Sequence, residues 1–364
     1  MNLRRILNLN RNEVYGLDIG TSAVKIVALR KDDSGYKVTA AGISHIADRH
    51  NGSHRKGIGH DSVDTNIVEA IHHCFTSTNL KVGNKFKTKL AVCGICGPEI
   101  AVRDFEFPLL SKDEIEGAVS LEAEQVCPFN PEQAVVDYQL ISDNDNKTKG
   151  ILVAATNTLI KSKKQLAQKA GLKCVLMDVD GLALLNCFDN LVNEDEKSTT
   201  AILNVGGSYT TLAIMRDDGW PFIRETARAG DYIVAQIAEM NNMSSEKVRE
   251  TLFGDSTNSG TDLGDSLERA SNEVIADVSE TLRFYAASEK SKQIEKIYVC
   301  GGFAPTTGFV ELLSHRLGIK ACLWNPFDSV LFHTSDRYGD FFRKQGPAMA
   351  VAAGLAMRSI EKSS

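Results

Sequence analysis

The sequence predicts an α/β protein of two related lobes, and three observations in its 364 residues carry that prediction. A strand, a tight small-residue turn and a second strand are written twice: residues 16–28 read GLDIGTSAVKIVA and residues 202–214 read ILNVGGSYTTLAI. Strand-like and helix-like patterns alternate along the chain, the pattern of helices packed on sheets. A third glycine turn, Gly301-Gly302, follows a strand-like run and leads into a helical pattern.

The two hairpins match position by position, pairing Leu17 with Leu203, Asp18 with Asn204, Gly20 with Gly206 and Ser22 with Ser208 at a constant offset of 186 residues. Their matched places in two halves of similar length indicate a duplicated domain. After the first hairpin, residues 64–78 form an amphipathic helix pattern, and residues 89–96, KLAVCGIC, a strand. A helix is predicted over 111–127, because Ser111 and Glu114 form a capping box; Pro128 ends it. ILVAATNTLI (151–160) reads as a strand, KSKKQLAQKA as a helix stopped by Gly171, and KCVLMDV as another strand. Beyond the second hairpin come helices over 231–240, 245–253 and 267–288, a strand over 296–300, a helix over 309–317 and a small-residue helix over 347–358. Residues 44–62, with His45, His50, His54 and His60, and residues 256–264 read as solvated loops; the histidine spacing is too irregular for a metal site.

A net charge of −6 and a pI near 5.8 argue against a nucleic-acid partner. No apolar run approaches the roughly 18 residues needed to span a bilayer, and no signal peptide opens the chain, so a cytoplasmic protein is expected. The start, MNLRRILNLNR, either rests on an anionic membrane surface or frays. Eight cysteines in mostly apolar segments read as reduced core thiols, Cys93 and Cys96 included, since no second CxxC follows.

The turn Gly20-Thr21-Ser22 lets backbone N–H groups and two hydroxyls converge on an anion, because glycine admits unusual dihedrals and small side chains leave room. Asp18 is suited to hold the water shell of a phosphate-bridging Mg²⁺, and Lys25 to reach β- and γ-phosphates. Gly206, Gly207 and Ser208 repeat the turn, while Gly301 and Gly302 let backbone pass close to a flat adenosine. With the small-residue helix QGPAMAVAAGLAMR, these elements resemble the actin-like ATPase superfamily, whose two duplicated RNase H-like lobes clamp ATP·Mg²⁺. Within it, LSKDEIEGAVSLEAEQVCPFNPEQAVVDYQL (110–140), ILVAATNTLI and KAGLKCVLMDVDGLALLNCF (169–188) most resemble the PilM family of type IV pilus assembly. That family is similar to FtsA, in which a subdomain called 1C replaces part of the usual actin lobe.

The resemblance implies subdomain 1A over 12–89, 171–198 and 340–364, 1C over 90–170, 2A over 199–229 and 295–339, and 2B over 230–294. It implies that the N-terminal cytoplasmic peptide of a PilN-like inner-membrane protein is held between 1A and 1C, with the helix 114–125 and the strand 92–100 as the segments to inspect. Pilus motor ATPases and self-association are further implied partners, and the location is peripheral at the inner membrane. Carried over by position, Asp18, Gly20, Thr21, Ser22, Lys25, Gly206, Gly207, Ser208, Gly301 and Gly302 match the ATP-binding motifs. Asp180 matches the residue that orients attacking water, with Asp178 second; either could instead cap the following helix. Four positions depart. Asn204 replaces the second-lobe metal-holding Asp; Arg249 and Leu252 replace a sugar-contacting acid and lysine, with Glu246 or Glu250 as substitutes if the register slips; Phe303 replaces a third glycine. The expectation is therefore a scaffold with weakened or lost ATP hydrolysis, the alternative being an active ATPase or a sugar-kinase-like phosphotransferase. An FtsA-like filament former and the cytoplasmic part of the secretion protein GspL fit less well, as neither a terminal amphipathic helix nor a membrane span is seen.

Overall fold

A computed structural model describes residues 14–46, 61–77, 89–141, 147–192, 200–216, 219–254, 262–287, 292–332, 336–358 and 360. The basic N-terminal stretch, His50, His54, His60 and most of the 256–264 loop lie outside these residues.

Strands β1 (Val14–Ile19), β2 (Ala23–Asp32) and β3 (Gly35–His45) form an antiparallel meander, followed by α1 (Asp61–Ser77) and β4 (Lys89–Ile95). An inserted unit comes next: β5 (Ile100–Pro108), α2 (Lys112–Val126), β6 (Ala134–Ile141) and β7 (Lys147–Thr156). Then α3 (Asn157–Lys169), β8 (Leu172–Val179) and α4 (Asp180–Leu191) return to the first lobe. The second half opens with its own meander, β9 (Thr200–Val205), β10 (Thr210–Met215) and β11 (Pro221–Thr226), followed by α5 (Gly230–Asn241), α6 (Ser245–Phe253) and α7 (Gly264–Ala286). It ends with β12 (Lys296–Cys300), α8 (Phe309–Leu317), β13 (Lys320–Leu323), β14 (Leu331–Phe332), α9 (Asp336–Gln345) and α10 (Ala350–Met357).

The sheet orders are β14-β3-β2-β1-β4-β8, β11-β10-β9-β12-β13 and β5-β7-β6. Apart from β14, the first two repeat one plan. A meander lies beside a parallel strand, β4 next to β1 and β12 next to β9. The inferred duplication is thus visible as topology.

Strand β1 is buried along its whole length because the sheet is covered on both faces. On one face Leu17 and Ile26 pack with Ile71 and Phe75 of α1 and Leu166 of α3. Phe75 meets Tyr15 edge to face, and truncating it to Ala costs about 3–5 kcal/mol. On the other face α4 and α10 lie between the two lobes: Leu184 and Leu355 share a core with Val27 and Val92 of the first sheet and Ile202 and Ala213 of the second. A β-carbon on Gly16 would run into the Ala352 carbonyl, and one on Gly354 into that of Ala183. Such close approach explains why the last helix is written almost entirely in small residues.

Two expectations change. ILVAATNTLI is not one strand: the Thr156 hydroxyl accepts the Leu159 N–H at 3.2 Å, so the helix begins at Asn157. The run 92–100 breaks after Ile95, where Gly97 turns the chain at φ +111° and Ile100 opens β5. Strand β4 pairs with β1, and α3 buries Leu166 and Ala167 in the first-lobe core. What stands apart is the three-stranded sheet and its helix α2, which buries Ile115, Val119 and Ala123 against Phe105 and Leu152. Strand β14 pairs with β3 of the first sheet. Among the described residues, no helix is long and apolar enough to cross a membrane.

Candidate functional site

Both glycine turns are closed by the same bond. Gly20 N–H donates to the Ala23 carbonyl at 3.1 Å, and Gly206 N–H to that of Tyr209 at 3.0 Å. Behind the first turn, Asp18 and Lys25 face each other across the strands, and Lys25 Nζ donates to Asp18 Oδ2 at 3.0 Å. Burial works against the Lys25 charge, yet Asp18, helped by Asp180, holds its pKa above the ordinary lysine value. Asn204 and Thr211 occupy the equivalent pair of positions in the second hairpin, without charge.

The turns meet at the seam between the lobes. Ser208 Oγ and Thr21 Oγ1 are hydrogen-bonded at 3.0 Å. A β-carbon at Gly207 would lie 2.7 Å from Thr21 Oγ1 and 2.8 Å from Ser22 Oγ, so a larger residue there would displace these hydroxyls. The structure thereby brings Gly20, Thr21, Ser22, Gly206, Gly207 and Ser208 together. Asp231, in the first turn of α5, extends the chain of contacts: its Oδ2 lies 3.5 Å from Ser208 Oγ, and its Oδ1 accepts from Arg249 Nη2 at 2.9 Å.

Asp180 opens α4 without capping it and lies against Gly94, leaving no room there for a β-carbon. It is buried, and its Oδ1 has no hydrogen-bond partner. Burial, then the charges of Asp18 and Glu225, raise its pKa to about 8. Asp178 is engaged elsewhere, accepting the Val179 N–H at 3.0 Å through Oδ1 and pairing through Oδ2 with Arg358 Nε at 2.8 Å. From the second lobe, Glu225 Oε2 accepts the Gly97 N–H at 2.6 Å, while its Oε1 has no partner and burial raises its pKa to about 7. Lys163 donates to the Ile19 carbonyl at 2.8 Å, and its charge tempers the Asp180 shift. Glu225, Asp231 and Lys163 escaped the sequence reading, because each belongs to an element far along the chain from the turn it serves. Only Asp231 left a trace, as the acid after Gly230 at a helix start.

The acids on the first-lobe side, Asp18 and Asp180 with its orphaned oxygen, suit a hydrated divalent cation that bridges phosphates. Among the described residues no three His, Cys, Asp or Glu side chains converge to hold a metal unaided, so phosphate oxygens would have to complete the shell.

At the third turn, Gly301 has φ +100°, and a β-carbon on it would lie 2.6 Å from Asn204 Oδ1. The Asn204 carbonyl therefore faces the adenosine-type turn. Gly302 opens onto free space. Phe303 presents no obstacle there, as its ring is buried in the second-lobe core, edge to face with Phe309 at 5.0 Å and Phe253 at 5.9 Å. Leu252 packs on the same core. Glu246 stays exposed in the first turn of α6; Arg249, one turn on, is the residue that reaches the cleft through Asp231.

A cavity of about 290 Å³ lies behind the turns. Gly97, Ile100 and Val102 line one wall, Tyr209, Ile223 and Glu225 the other, with Arg103 and Arg224 beside them. Strands β5 and β11, which supply most of these residues, are each outermost in their sheets among the described residues. Another cavity, of about 350 Å³, is lined by charged groups of α7 and α8 such as Glu268 and Arg316, and adjoins none of the turns.

The family model described as type IV pilus assembly protein PilM matches residues 16–360. The cell division protein FtsA of Enterococcus hirae is 24% identical over 357 residues, covering 85% of this chain and 78% of that protein. A solved PilM-PilN type IV pilus biogenesis complex has a TM-score of 0.77 at 22% identity, over 97% of this chain and 100% of that one. MreB5 of Spiroplasma citri bound to ADP has a TM-score of 0.50 at 14% identity, over 94% and 95%. The fold is the actin-like ATPase fold.

Proposed function

The chain belongs to the type IV pilus assembly protein PilM family, and on that premise we propose that it is a cytoplasmic scaffold holding the N-terminal peptide of a PilN-like inner-membrane protein. The observation that carries this reading is the cavity between β5 and β11, which the first lobe also lines through Val179 at the end of β8; the peptide would thus lie where β5 meets the second lobe, not in the 1A–1C groove that the resemblance implies. Two outermost strands flank it, so an extended peptide can add its backbone to either edge while apolar side chains settle on Ile100, Val102 and Ile223. Arg103 and Arg224 would favour acidic groups on such a peptide. In this reading the β5-β7-β6 unit is subdomain 1C, the first and second sheets form 1A and 2A, and α5 to α7 form 2B. Through its partner the protein sits at the inner membrane, within reach of pilus motor ATPases.

The same reading places ATP with Mg²⁺ between the lobes. Asp18 and Asp180 would hold the hydrated ion with weaker help from Asn204, and Lys25 and the two turns would hold the phosphates. The ion's contribution when bound is to neutralise phosphate charge. Asp180 favours an active phosphotransferase, although without a cation burial and the charges of Asp18 and Glu225 raise its pKa to about 8 and weaken it as a base. Slow or absent hydrolysis is expected from Asn204, which lacks the charge that would orient water on the ion.

Calorimetry with a PilN-like N-terminal peptide, beside a turnover assay on Mg·ATP, tests the reading. Peptide binding with little turnover is expected; rapid hydrolysis without peptide binding would sink the scaffold.

A further inference from the structure

We propose that Asp231 and Arg249 form an internal stand-in for phosphate, a latch that holds the two glycine turns together and that an entering phosphate must exchange. The inference rests on the nucleotide reading above and adds its regulation.

Three contacts define the latch. The Asp231 backbone N–H donates to the Gly207 carbonyl at 2.8 Å, which fixes the start of α5 against the second turn. The Asp231 carboxylate then lies over that turn, Oδ2 being 3.5 Å from Ser208 Oγ and 2.9 Å from where a Gly207 β-carbon would sit. Arg249 clamps the other oxygen at 2.9 Å. Ser208 also bonds Thr21 of the opposite lobe, with Thr21 as the donor when the one Ser208 proton faces Asp231, so one line of contacts runs from α6 to the first turn.

A carboxylate over a phosphate-binding turn is an anion where an anion should enter. It repels the ligand and occupies the hydroxyl and the guanidinium that phosphate needs. A guanidinium binds phosphate as readily as carboxylate, in the same forked geometry. Entry thus becomes an exchange in which phosphate takes Ser208 and Arg249 from Asp231. Arg249 is then a positioning residue in the closed molecule and a phosphate donor in the loaded one.

The two partners must act with opposite sign on binding, which separates the latch from mere structural support. Calorimetry of Mg·ADP with the full chain is expected to show Asp231→Asn about tenfold tighter than the native chain and Arg249→Ala about fivefold weaker, with Arg249→Lys recovering part of the loss. Hydrogen exchange without nucleotide is expected to be faster at Gly20 to Ser22 and Gly206 to Ser208 in both Asp231→Asn and Arg249→Ala. Binding by Asp231→Asn that is no tighter than that of the native chain overturns the proposal. Should no version bind Mg·ADP, the nucleotide reading fails, and exchange alone decides: faster exchange at both turns in Asp231→Asn keeps the latch as a tie between lobes, and unchanged exchange removes it.

Discussion

The first and second glycine turns are one hairpin folded twice, with the same closing bond and the same cross-strand register, yet different groups stand behind them. Behind Gly20 is a nearly buried ion pair, Asp18 with Lys25, and beside it a second acid, Asp180. Behind Gly206 are Asn204 and Thr211, which hold the same cross-strand positions without charge. Duplication preserved the backbone of the turn, while the buried charge stands on one side only. Backbone geometry and buried charge are thus separable in this fold.

Removing the cation of the first hairpin has the largest expected effect. Lys25→Met strands the Asp18 carboxylate in a buried site, at a cost of roughly 3–5 kcal/mol in a urea-unfolding experiment. The equivalent Thr211→Val loses a neutral group and costs about 1 kcal/mol. Equal losses would show that the two hairpins do not differ in this way.

The next effect concerns the excess of acid on the first-lobe side. In the folded chain Asp180 keeps its proton up to about pH 8, whereas an unfolded carboxyl releases it near about pH 4. Between those values the folded state binds more protons, so stability falls as pH rises. Glu225, raised to about 7, acts in the same sense. Asp180→Asn removes one source of the slope; its advantage over the native chain should grow by on the order of a few kcal/mol from about pH 5 to about pH 8. A variant with an undiminished slope would clear Asp180 of that role.

Restoring charge to the second hairpin sharpens the comparison from the other side. Asn204→Asp supplies the missing acid beside Gly301, and affinity for ATP should rise about tenfold with Mg²⁺ present. An equal gain in a chelator would show that the new charge does not act through the metal.

Much of this was legible in the sequence, for physical reasons. The hairpins, the capping box at Ser111 and the glycine turn at 301 are local devices, each written within a few residues. The small-residue helix was legible as a helix, though not that it would lie on Gly16 between the lobes. The end of β7 was misread because Thr156 caps a helix whose first residues, Asn157 to Ile160, look strand-like by themselves. Glu225 meeting Gly97, and Asp231 meeting Ser208 and Arg249, depend on how separate elements fold onto one another. No periodicity reports such meetings. Only the fold reveals that Arg249 has a carboxylate partner.

The smallest expected effect lies at the contact between the turns. Ser208 and Thr21 share a single hydroxyl–hydroxyl bond at 3.0 Å, exposed enough for water to compete. A double-mutant cycle of Ser208→Ala and Thr21→Ala should give a coupling of about 0.5 kcal/mol, at the low end for a neutral hydrogen bond. That weakness suits the position, since a bond that a ligand must replace cannot be strong without raising the cost of entry. A coupling near about 2 kcal/mol would mean the lobes are fastened here against any ligand. The two turns would then be one structural joint, and the difference in charge behind them would have no bearing on what enters between.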